Sequence, residues 1–119
     1  MRDQKSHFKK IFLISNSKYL ITEILDMNED PLVSIIILNY NAGKLLIDCV
    51  RSVFSSTYSN FEVILVDNVS TDNSHKICKK NFDKVKLIEN KENLGYCEGN
   101  NVGIRNSNGE YIVILNPDT

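Results

Sequence analysis

Polar side chains follow three of the apolar segments in this 119-residue chain, and they are the residues best suited to chemistry. Asn39-Tyr40-Asn41 follows the first segment, Asp67-Asn68 the second and Asn116-Pro117-Asp118 the last. Carboxylates bind cations and accept hydrogen bonds, and amides both donate and accept them. Aspartate and asparagine also favour turns, so a structural role explains any single one of these residues as well as a binding role does. A structural role explains the whole set less well.

The apolar segments have the composition of strands that are buried inside a parallel sheet. Residues 32–38, 61–66 and 110–115 are nearly continuous runs of aliphatic and β-branched side chains. Such runs are typical of strands that are covered on both faces. Val85 and Leu87 alternate with lysines, which predicts one further, less buried strand at or near an edge of the sheet.

Helical spacing of apolar residues predicts helices between these strands. One covers residues 45–54, and a second begins at a cap on Ser70 or Asp72 and runs toward Phe82. A third covers residues 96–107. Strands that alternate with helices predict an α/β fold, with a right-handed parallel sheet of four strands joined by crossover helices.

A parallel sheet of this kind binds its ligands outside the carboxyl ends of its strands. The polar residues that follow the strands are therefore expected to meet at one edge. The third predicted strand leads into residues 90–95, which include Asn93 and Gly95, so these two residues are expected at the same edge. The sequence thus predicts one polar binding site.

Residues 1–30 are predicted to be an N-terminal extension of a domain that covers residues 31–119. An apolar stripe within residues 20–25 indicates a short amphipathic helix in the extension. The apolar run from Ile11 to Ile14 is too short for a signal sequence or a membrane span. No transmembrane segment is predicted, and a cytoplasmic location is expected, with peripheral attachment at the inner membrane face as an alternative.

The overall composition is that of an ordinary globular protein, with 42% hydrophobic and 24% charged residues. A net charge of −1 gives no electrostatic footprint for nucleic acid. The three cysteines lack C-x-x-C spacing, so no zinc site is indicated. His7 and His75 are expected to be surface residues.

The common phosphate-binding motifs are missing from the chain. Neither G-x-x-x-x-G-K-[ST] nor G-x-G-x-x-G follows the first predicted strand. A bound phosphate would then need another positive partner. A Mg²⁺ or Mn²⁺ ion on Asp118 is the obvious one, because oxygen ligands suit both ions and either ion can bridge phosphate oxygens.

Four ordered motifs give the chain a resemblance to the family 2 glycosyltransferases of the GT-A fold, a three-layer Rossmann-like sandwich. The resemblance extends over residues 32–119 and is carried by Val33–Asn41, Val66–Ser74, Asn93–Gly95 with Gly99–Asn101, and Leu115–Thr119. The ending Asn-Pro-Asp-Thr is similar to that of the branch that contains rhamnosyltransferase-like enzymes. Such a resemblance implies a nucleotide-sugar donor and a role in making cell-surface polysaccharides.

The resemblance also implies a role for each polar group. Residues 39–41 would line the base and ribose, and Asp67, followed by Asn68, would accept a hydrogen bond from N3–H of uracil or thymine. That implies a UDP- or dTDP-sugar. Asn93, Gly95, Asn100 and Asn101 would shape the donor pocket, although Asn100 and Asn101 are equally well explained as polar positions on a helix. Asn116 and Asp118 take the two acidic positions of the D-x-D motif, with Asp118 as the metal ligand.

The inverting members of this family take a general base and an acceptor pocket from beyond the D-x-D motif. The sequence ends at Thr119, so we expect no catalytic residue here, and we expect a polypeptide that is inactive alone. The acceptor, a glycan or a lipid-linked molecule, is not specified. The last strand is expected to have an unpaired edge, and self-association through that edge follows.

Two alternatives from other functional classes stay open. The first is a non-catalytic module that binds a nucleotide or a partner. The second is a nucleotidyltransferase, which would need a glycine-rich loop with lysine or arginine after the first strand. Gly43-Lys44 is a poor match to such a loop.

Overall fold

The computed structural model describes residues 10–14 and 30–117. These residues form five strands and three helices. The strands are β1 (Lys10–Ile14), β2 (Val33–Asn39), β3 (Phe61–Asp67), β4 (Lys86–Glu89) and β5 (Tyr111–Leu115). The helices are α1 (Lys44–Phe54), α2 (Ser74–Asn81) and α3 (Gly95–Arg105). The amphipathic helix expected within residues 20–25, and Asp118, lie outside the described residues.

The strands form one parallel sheet in the order β1-β5-β2-β3-β4. This confirms the parallel α/β fold, but the sheet has five strands and not the expected four. Lys10 to Ile14, which we placed in an extension outside the sheet, pair with Tyr111 to Leu115. Four apolar residues show too little periodicity to separate a strand from other buried segments, which is why the sequence did not reveal β1.

The pairing of β1 corrects a second expectation. The predicted unpaired edge of β5 is absent, because β5 lies between β1 and β2 and pairs with both. The outer strand on this side is β1, where Leu13 is 74% exposed. Self-association through a sheet edge stays a prediction, and β1 is now the strand it concerns.

The hydrophobic core has two parts, one on each face of the sheet. Ile35 and Ile37 of β2 pack with the buried residues of α1 and α2, whereas Ile36 faces α3.

The path from β2 through β3 to β4 runs in one direction across the sheet, and the step to β5 reverses it. Right-handed crossovers then require α3 on the opposite face. The reversal creates a switch point between β2 and β5, where this class of sheet forms a crevice.

Helix α3 lies unusually close to the sheet because of two glycines. A Cβ atom on Gly103 would be 2.5 Å from Cγ2 of Ile36, and one on Gly99 would be 2.6 Å from Cδ1 of Leu38. Both distances are too short for any side chain. The spacing of four residues places both glycines on the face that contacts β2 and β3. Within the described ranges, no helix is long and apolar enough to cross a membrane.

Replacing Gly103 with alanine is expected to destabilise the protein. Alanine gains about 1 kcal/mol of helix propensity over glycine. The added methyl group forces α3 away from Ile36, and such overpacking costs roughly 1–3 kcal/mol. Urea unfolding should therefore show a net loss of about 1 kcal/mol in the free energy of unfolding.

The matched control is Asn101→Ala, at an exposed position on the same helix. Its free energy of unfolding should stay within about 0.5 kcal/mol of the wild-type value. A Gly103→Ala protein more stable than the wild type by the full propensity gain of about 1 kcal/mol would show that α3 does not pack against Ile36.

Candidate functional site

A cavity of about 500 Å³ opens at the carboxyl ends of β2, β3 and β5. Its size is that of a typical small-molecule site. It lies at the switch point between β2 and β5, where the parallel sheet was expected to bind a ligand. The cavity is lined by Leu38, Tyr40, Asn41, Ala42, Leu45, Asn68, Asn93, Gly95, Tyr96, Asn116 and Pro117.

The structure separates the predicted site residues into two groups. The first lines the cavity and consists of Tyr40, Asn41, Asn68, Asn93, Gly95 and Asn116. The second, Asn39, Asp67 and Asn100, is buried and absent from the cavity wall. The sequence analysis placed both groups at the correct end of the sheet, but it did not predict which side chains reach the surface.

Two tyrosines give the cavity an aromatic surface. Tyr40 follows β2 and Tyr96 is the second residue of α3, and each residue is 57% exposed. Exposed aromatic rings on a cavity wall are suited to stacking on a flat ligand ring. Tyr40 was predicted and Tyr96 was not. The signal that could have revealed Tyr96 is an aromatic residue directly after Gly95, in the loop already expected at the site.

Asp67 ends β3, and only 2% of its surface is exposed. Its Oδ1 atom accepts hydrogen bonds from Asn39 Nδ2 at 2.9 Å and from Ser70 Oγ at 2.7 Å. Its Oδ2 atom accepts one, from Ser70 N at 2.8 Å. A carboxylate oxygen has two lone pairs, so Oδ2 keeps the capacity for one more donor.

Asn39 ends β2 and is completely buried. Its Nδ2 atom lies 2.9 Å from Asp67 Oδ1, 3.2 Å from Ser70 Oγ and 2.9 Å from Ser74 Oγ. Its Oδ1 atom accepts a hydrogen bond from Ala42 N at 3.3 Å. Asn39 therefore joins the ends of two strands and the start of α2, and does not itself reach the cavity.

The loops after β2 and β3, residues 40–43 and 68–73, are tied together by hydrogen bonds. Oδ1 of Asn41 accepts from Thr71 N at 2.7 Å and from Asp72 N at 3.2 Å. In return, Asn41 N donates to Ser70 Oγ at 2.9 Å. Contacts in both directions make these loops one rigid border of the cavity.

Asp72 anchors the start of α2, but the N-cap residue is Asn73, so neither of the two predicted caps, Ser70 and Asp72, takes that position. Its Oδ1 atom accepts from Ser74 N at 2.9 Å and from Ser74 Oγ at 2.6 Å, and its Oδ2 atom accepts from Gly43 N at 3.0 Å. Desolvation acts to raise the pKa of the Asp72 carboxyl. The hydrogen bonds from Ser74 and Gly43 outweigh it and hold the pKa below its ordinary value.

Asn68 fixes the opposite wall of the cavity. Its Nδ2 atom donates to Gly95 O at 3.1 Å, and its Oδ1 atom accepts from Asn90 Nδ2 at 2.8 Å and from Leu94 N at 3.3 Å. These bonds attach the start of α3 to the end of β3. Asn100, further along α3, donates from Nδ2 to Tyr96 O at 3.1 Å, and its buried Oδ1 atom makes no hydrogen bond within the described residues.

His75 contradicts the expectation of a surface position, because only 4% of the residue is exposed. It lies in the first turn of α2, which packs against the ends of β3 and β4. Its Nδ1 atom is 3.5 Å from Asp67 Oδ1, and its Nε2 atom is 3.2 Å from Glu89 Oε1. The sequence analysis missed this group because a single histidine in a polar helix gives no signal of burial.

The predicted metal site can be followed as far as Pro117. Within residues 10–14 and 30–117, no group of three or more histidine, cysteine, aspartate or glutamate side chains could hold a metal ion. Asn116 lies on the cavity wall, so the segment that leads to Asp118 borders the cavity. An amide oxygen there fits a hard divalent cation, although it is a neutral ligand and so a weaker one than a carboxylate.

Val69 stores backbone strain beside the cavity. Its φ angle is +62°, in the left-handed region that β-branched residues avoid, and the residue is 44% exposed. Asn41 and Asn73 also have positive φ angles, but asparagine tolerates this conformation. The valine side chain therefore does nothing to stabilise the left-handed conformation at position 69. We attribute this conformation to the hydrogen bonds between Ser70 and Asp67, which hold the loop on either side.

Substituting Val69 with asparagine should stabilise the protein. Relief of the left-handed strain is worth about 1 kcal/mol, and the exposed side chain gives up little packing. Thermal or urea unfolding measures the gain. Val69→Ala removes the β-branch but lacks the polar side chain by which asparagine stabilises the left-handed conformation, so it is expected to gain less. If Val69→Asn is no more stable than the wild type, the strain assigned to this loop is not present.

Comparison with known proteins agrees with this geometry. Residues 34–119 match the family model for glycosyl transferase family 2. Glycosyltransferase GlyG of Streptococcus pneumoniae is 39% identical over 90 residues, which cover 73% of this chain and 30% of that protein. Putative glycosyltransferase EpsE of Bacillus subtilis is 37% identical over 90 residues, 72% of this chain and 32% of that protein. The chain thus spans about a third of these relatives.

Solved structures share the fold. The mannosyltransferase PcManGT from Pyrobaculum calidifontis, in complex with GDP-Man and Mn²⁺, superposes with a TM-score of 0.70 at 23% identity. The match covers 84% of this chain and 33% of that one. S. aureus TarS in complex with UDP-GlcNAc gives a TM-score of 0.68 at 27% identity, over 72% of this chain and 26% of that one. The predicted GT-A architecture is confirmed, and the chain belongs to glycosyl transferase family 2.

Proposed function

We propose that this chain binds a UDP- or dTDP-linked sugar as the donor of a glycosyltransferase reaction. The observation that carries the proposal is the cavity at the switch point, with two exposed tyrosines on a wall otherwise rich in amide groups. A nucleoside diphosphate sugar combines a flat apolar base with many hydroxyl and phosphate oxygens. The UDP-GlcNAc in the TarS structure, at 27% identity, supports this ligand class.

Preference for uracil or thymine would come from Asp67. The remaining acceptor position on its Oδ2 atom suits one N–H donor, and the imide N3–H of these two bases is such a donor. Cytosine has no hydrogen on N3. Guanine presents two neighbouring donors and would need two free acceptor positions. Asp67 Oδ1 already accepts from Asn39 and Ser70, so it offers no second position. Tyr40 would stack on the base.

Calorimetry with single nucleotides tests the proposed ligand. UDP and dTDP are expected to bind the 119-residue protein at least tenfold more tightly than CDP, because loss of a hydrogen bond to a charged group costs about 1.5–3 kcal/mol. Tyr40→Ala should weaken UDP binding, and Ile77→Ala, an exposed apolar residue on α2, is the matched control. Equal affinities for UDP and CDP would rule out the proposed role of Asp67.

The metal would be held by Asp118, with the amide of Asn116 as a second ligand. A bound Mg²⁺ or Mn²⁺ ion supplies Lewis-acid stabilisation of the charge on the leaving diphosphate. Because Asn116 is neutral, we expect weak binding of the metal alone and stronger binding in the presence of a diphosphate. The phosphate oxygens would complete the set of ligands.

Replacing Asp118 with alanine should remove the effect of metal on nucleotide binding. In wild-type protein, Mn²⁺ is expected to tighten UDP binding, and in Asp118→Ala the UDP affinity should be the same with Mn²⁺ and with a chelator. Asp83→Ala removes an exposed carboxylate that is not on the cavity wall, and it should behave as the wild type. A metal effect that survives in Asp118→Ala would contradict this assignment.

Transfer of the sugar requires a general base within hydrogen-bond reach of the acceptor hydroxyl. Within the described residues, the cavity wall carries no aspartate, glutamate or histidine. We therefore propose that these 119 residues bind the donor but do not transfer its sugar on their own. The complete reaction would be an inverting transfer of a rhamnose-type or other hexose unit to a glycan or lipid-linked acceptor. In that reaction, other residues would supply the general base. The same wall also favours the second candidate, a nucleotide-binding module without catalysis.

The remaining expectations concern location and assembly. We propose a cytoplasmic protein with peripheral contact to the inner membrane face, where lipid-linked acceptors would be available. Two copies would associate through β1, whose outer edge is unpaired within the described residues and carries the exposed side chains of Ile11 and Leu13.

A further inference from the structure

The two tyrosines on the cavity wall have no partner in the part of the chain that the structure describes. Neither ring of Tyr40 and Tyr96 contacts another aromatic ring, and neither hydroxyl makes a hydrogen bond. Other tyrosines are engaged, because Tyr58 donates to a backbone oxygen and the ring of Tyr111 packs on another ring. Exposed rings without a protein partner, on the wall of one cavity, are suited to the faces of a flat ligand.

Tyr96 lies on the side of α3 that faces the sheet. A Cβ atom on Gly99 would be 2.6 Å from Cδ1 of Leu38, so this side of the helix touches the end of β2. Tyr96 precedes Gly99 by three residues, which places it on the same side of the helix, one turn closer to the cavity. Leu38 itself lines the cavity. The ring of Tyr96 is therefore presented from the helix toward the strand end that leads to Tyr40.

Asn68 connects the two tyrosines through the residues that precede them. Its backbone N donates to Asn39 O at 3.0 Å, and Tyr40 follows Asn39. Its Nδ2 atom donates to Gly95 O at 3.1 Å, and Tyr96 follows Gly95. Tyr40 and Tyr96 are thus attached to the same residue from opposite walls of the cavity. Their separation is fixed by hydrogen bonds that form without a ligand.

We propose that Tyr96 is a second stacking residue for the nucleotide base, which lies between the rings of Tyr40 and Tyr96. This inference rests on the proposed function, because the ligand is the same nucleotide. A base has two π faces, and Tyr40 covers one of them. Stacking of the second face on Tyr96 shields the whole ring from water and adds affinity that does not depend on hydrogen bonds to the base edge.

Substitutions at position 96 test for the ring. UDP affinity is measured by calorimetry on the 119-residue protein. Tyr96→Phe keeps the ring and should bind UDP within about twofold of the wild type. Tyr96→Ala should bind UDP at least about fivefold more weakly, as found for loss of one base–aromatic stack. Cys97→Ala is the matched control, because Cys97 is the next residue, is exposed and is not on the cavity wall. Circular dichroism verifies the fold of each variant.

A modified nucleotide separates stacking from support of the fold. The diphosphate of 5,6-dihydrouridine keeps N3–H and both carbonyl oxygens of uracil, but its base is neither flat nor aromatic. Wild-type protein should bind it at least about fivefold more weakly than UDP. The ratio of the two affinities should be at least about twofold smaller in Tyr96→Ala, because one of the two stacks is already lost. A purely structural role of Tyr96 would leave this ratio unchanged.

UDP-glucose distinguishes the base from the sugar as the group that Tyr96 contacts. Tyr96→Ala should weaken UDP and UDP-glucose by the same factor. A loss confined to UDP-glucose would place Tyr96 against the sugar and overturn the inference. Wild-type UDP affinity in folded Tyr96→Ala, equal losses in Tyr96→Phe and Tyr96→Ala, or an unchanged dihydrouridine ratio would overturn it as well. Wild-type protein that binds neither UDP nor dTDP would instead refute the proposed function together with this inference.

Discussion

The buried carboxylate of Asp67 is the group on which the rest of the site depends. A buried carboxylate is tolerated when its oxygens accept hydrogen bonds. Asn39 and Ser70 provide these bonds, and they belong to the end of β2 and to the loop after β3. Satisfying one charge therefore fixes both segments that border the cavity. Removing the carboxylate would leave the N–H and the hydroxyl of the half-buried Ser70 without their acceptor, at a cost of about 1–3 kcal/mol each.

The opposite wall depends on close packing and not on charge. Gly99 and Gly103 allow α3 to approach the sheet, and Asn68 attaches the start of the helix to the end of β3. Tyr96 is consequently presented from a rigid helix, whereas Tyr40 is presented from a loop held by its neighbours. A site that is built on fixed elements keeps its geometry without help from the ligand. The polar network and the glycine contact thus serve the same cavity by different means.

Much of this arrangement could be predicted from the residues. β2, β3 and β5 were recognisable because strands buried on both faces are continuously apolar, and the parallel topology then placed their polar ends together. β1 was not recognisable, because its strand character depends on pairing with Tyr111 to Leu115 at the far end of the sequence. The depth of Asp67 and the burial of His75 were also hidden. Both follow from how α2 packs on the sheet, and local sequence does not encode the exposure of a polar side chain.

The position of β5 has a consequence for the order in which the protein assembles. β1 and β2 precede β5 in the chain, yet β5 lies between them, so the two earlier strands must leave a gap for it. Contacts between distant parts of a chain form slowly. Until they do, one edge of β2 offers unpaired backbone groups to any neighbouring strand, which makes the growing polypeptide prone to mispairing during synthesis. Asn116 directly follows β5, so its side of the pocket forms only after β5 is inserted between β1 and β2.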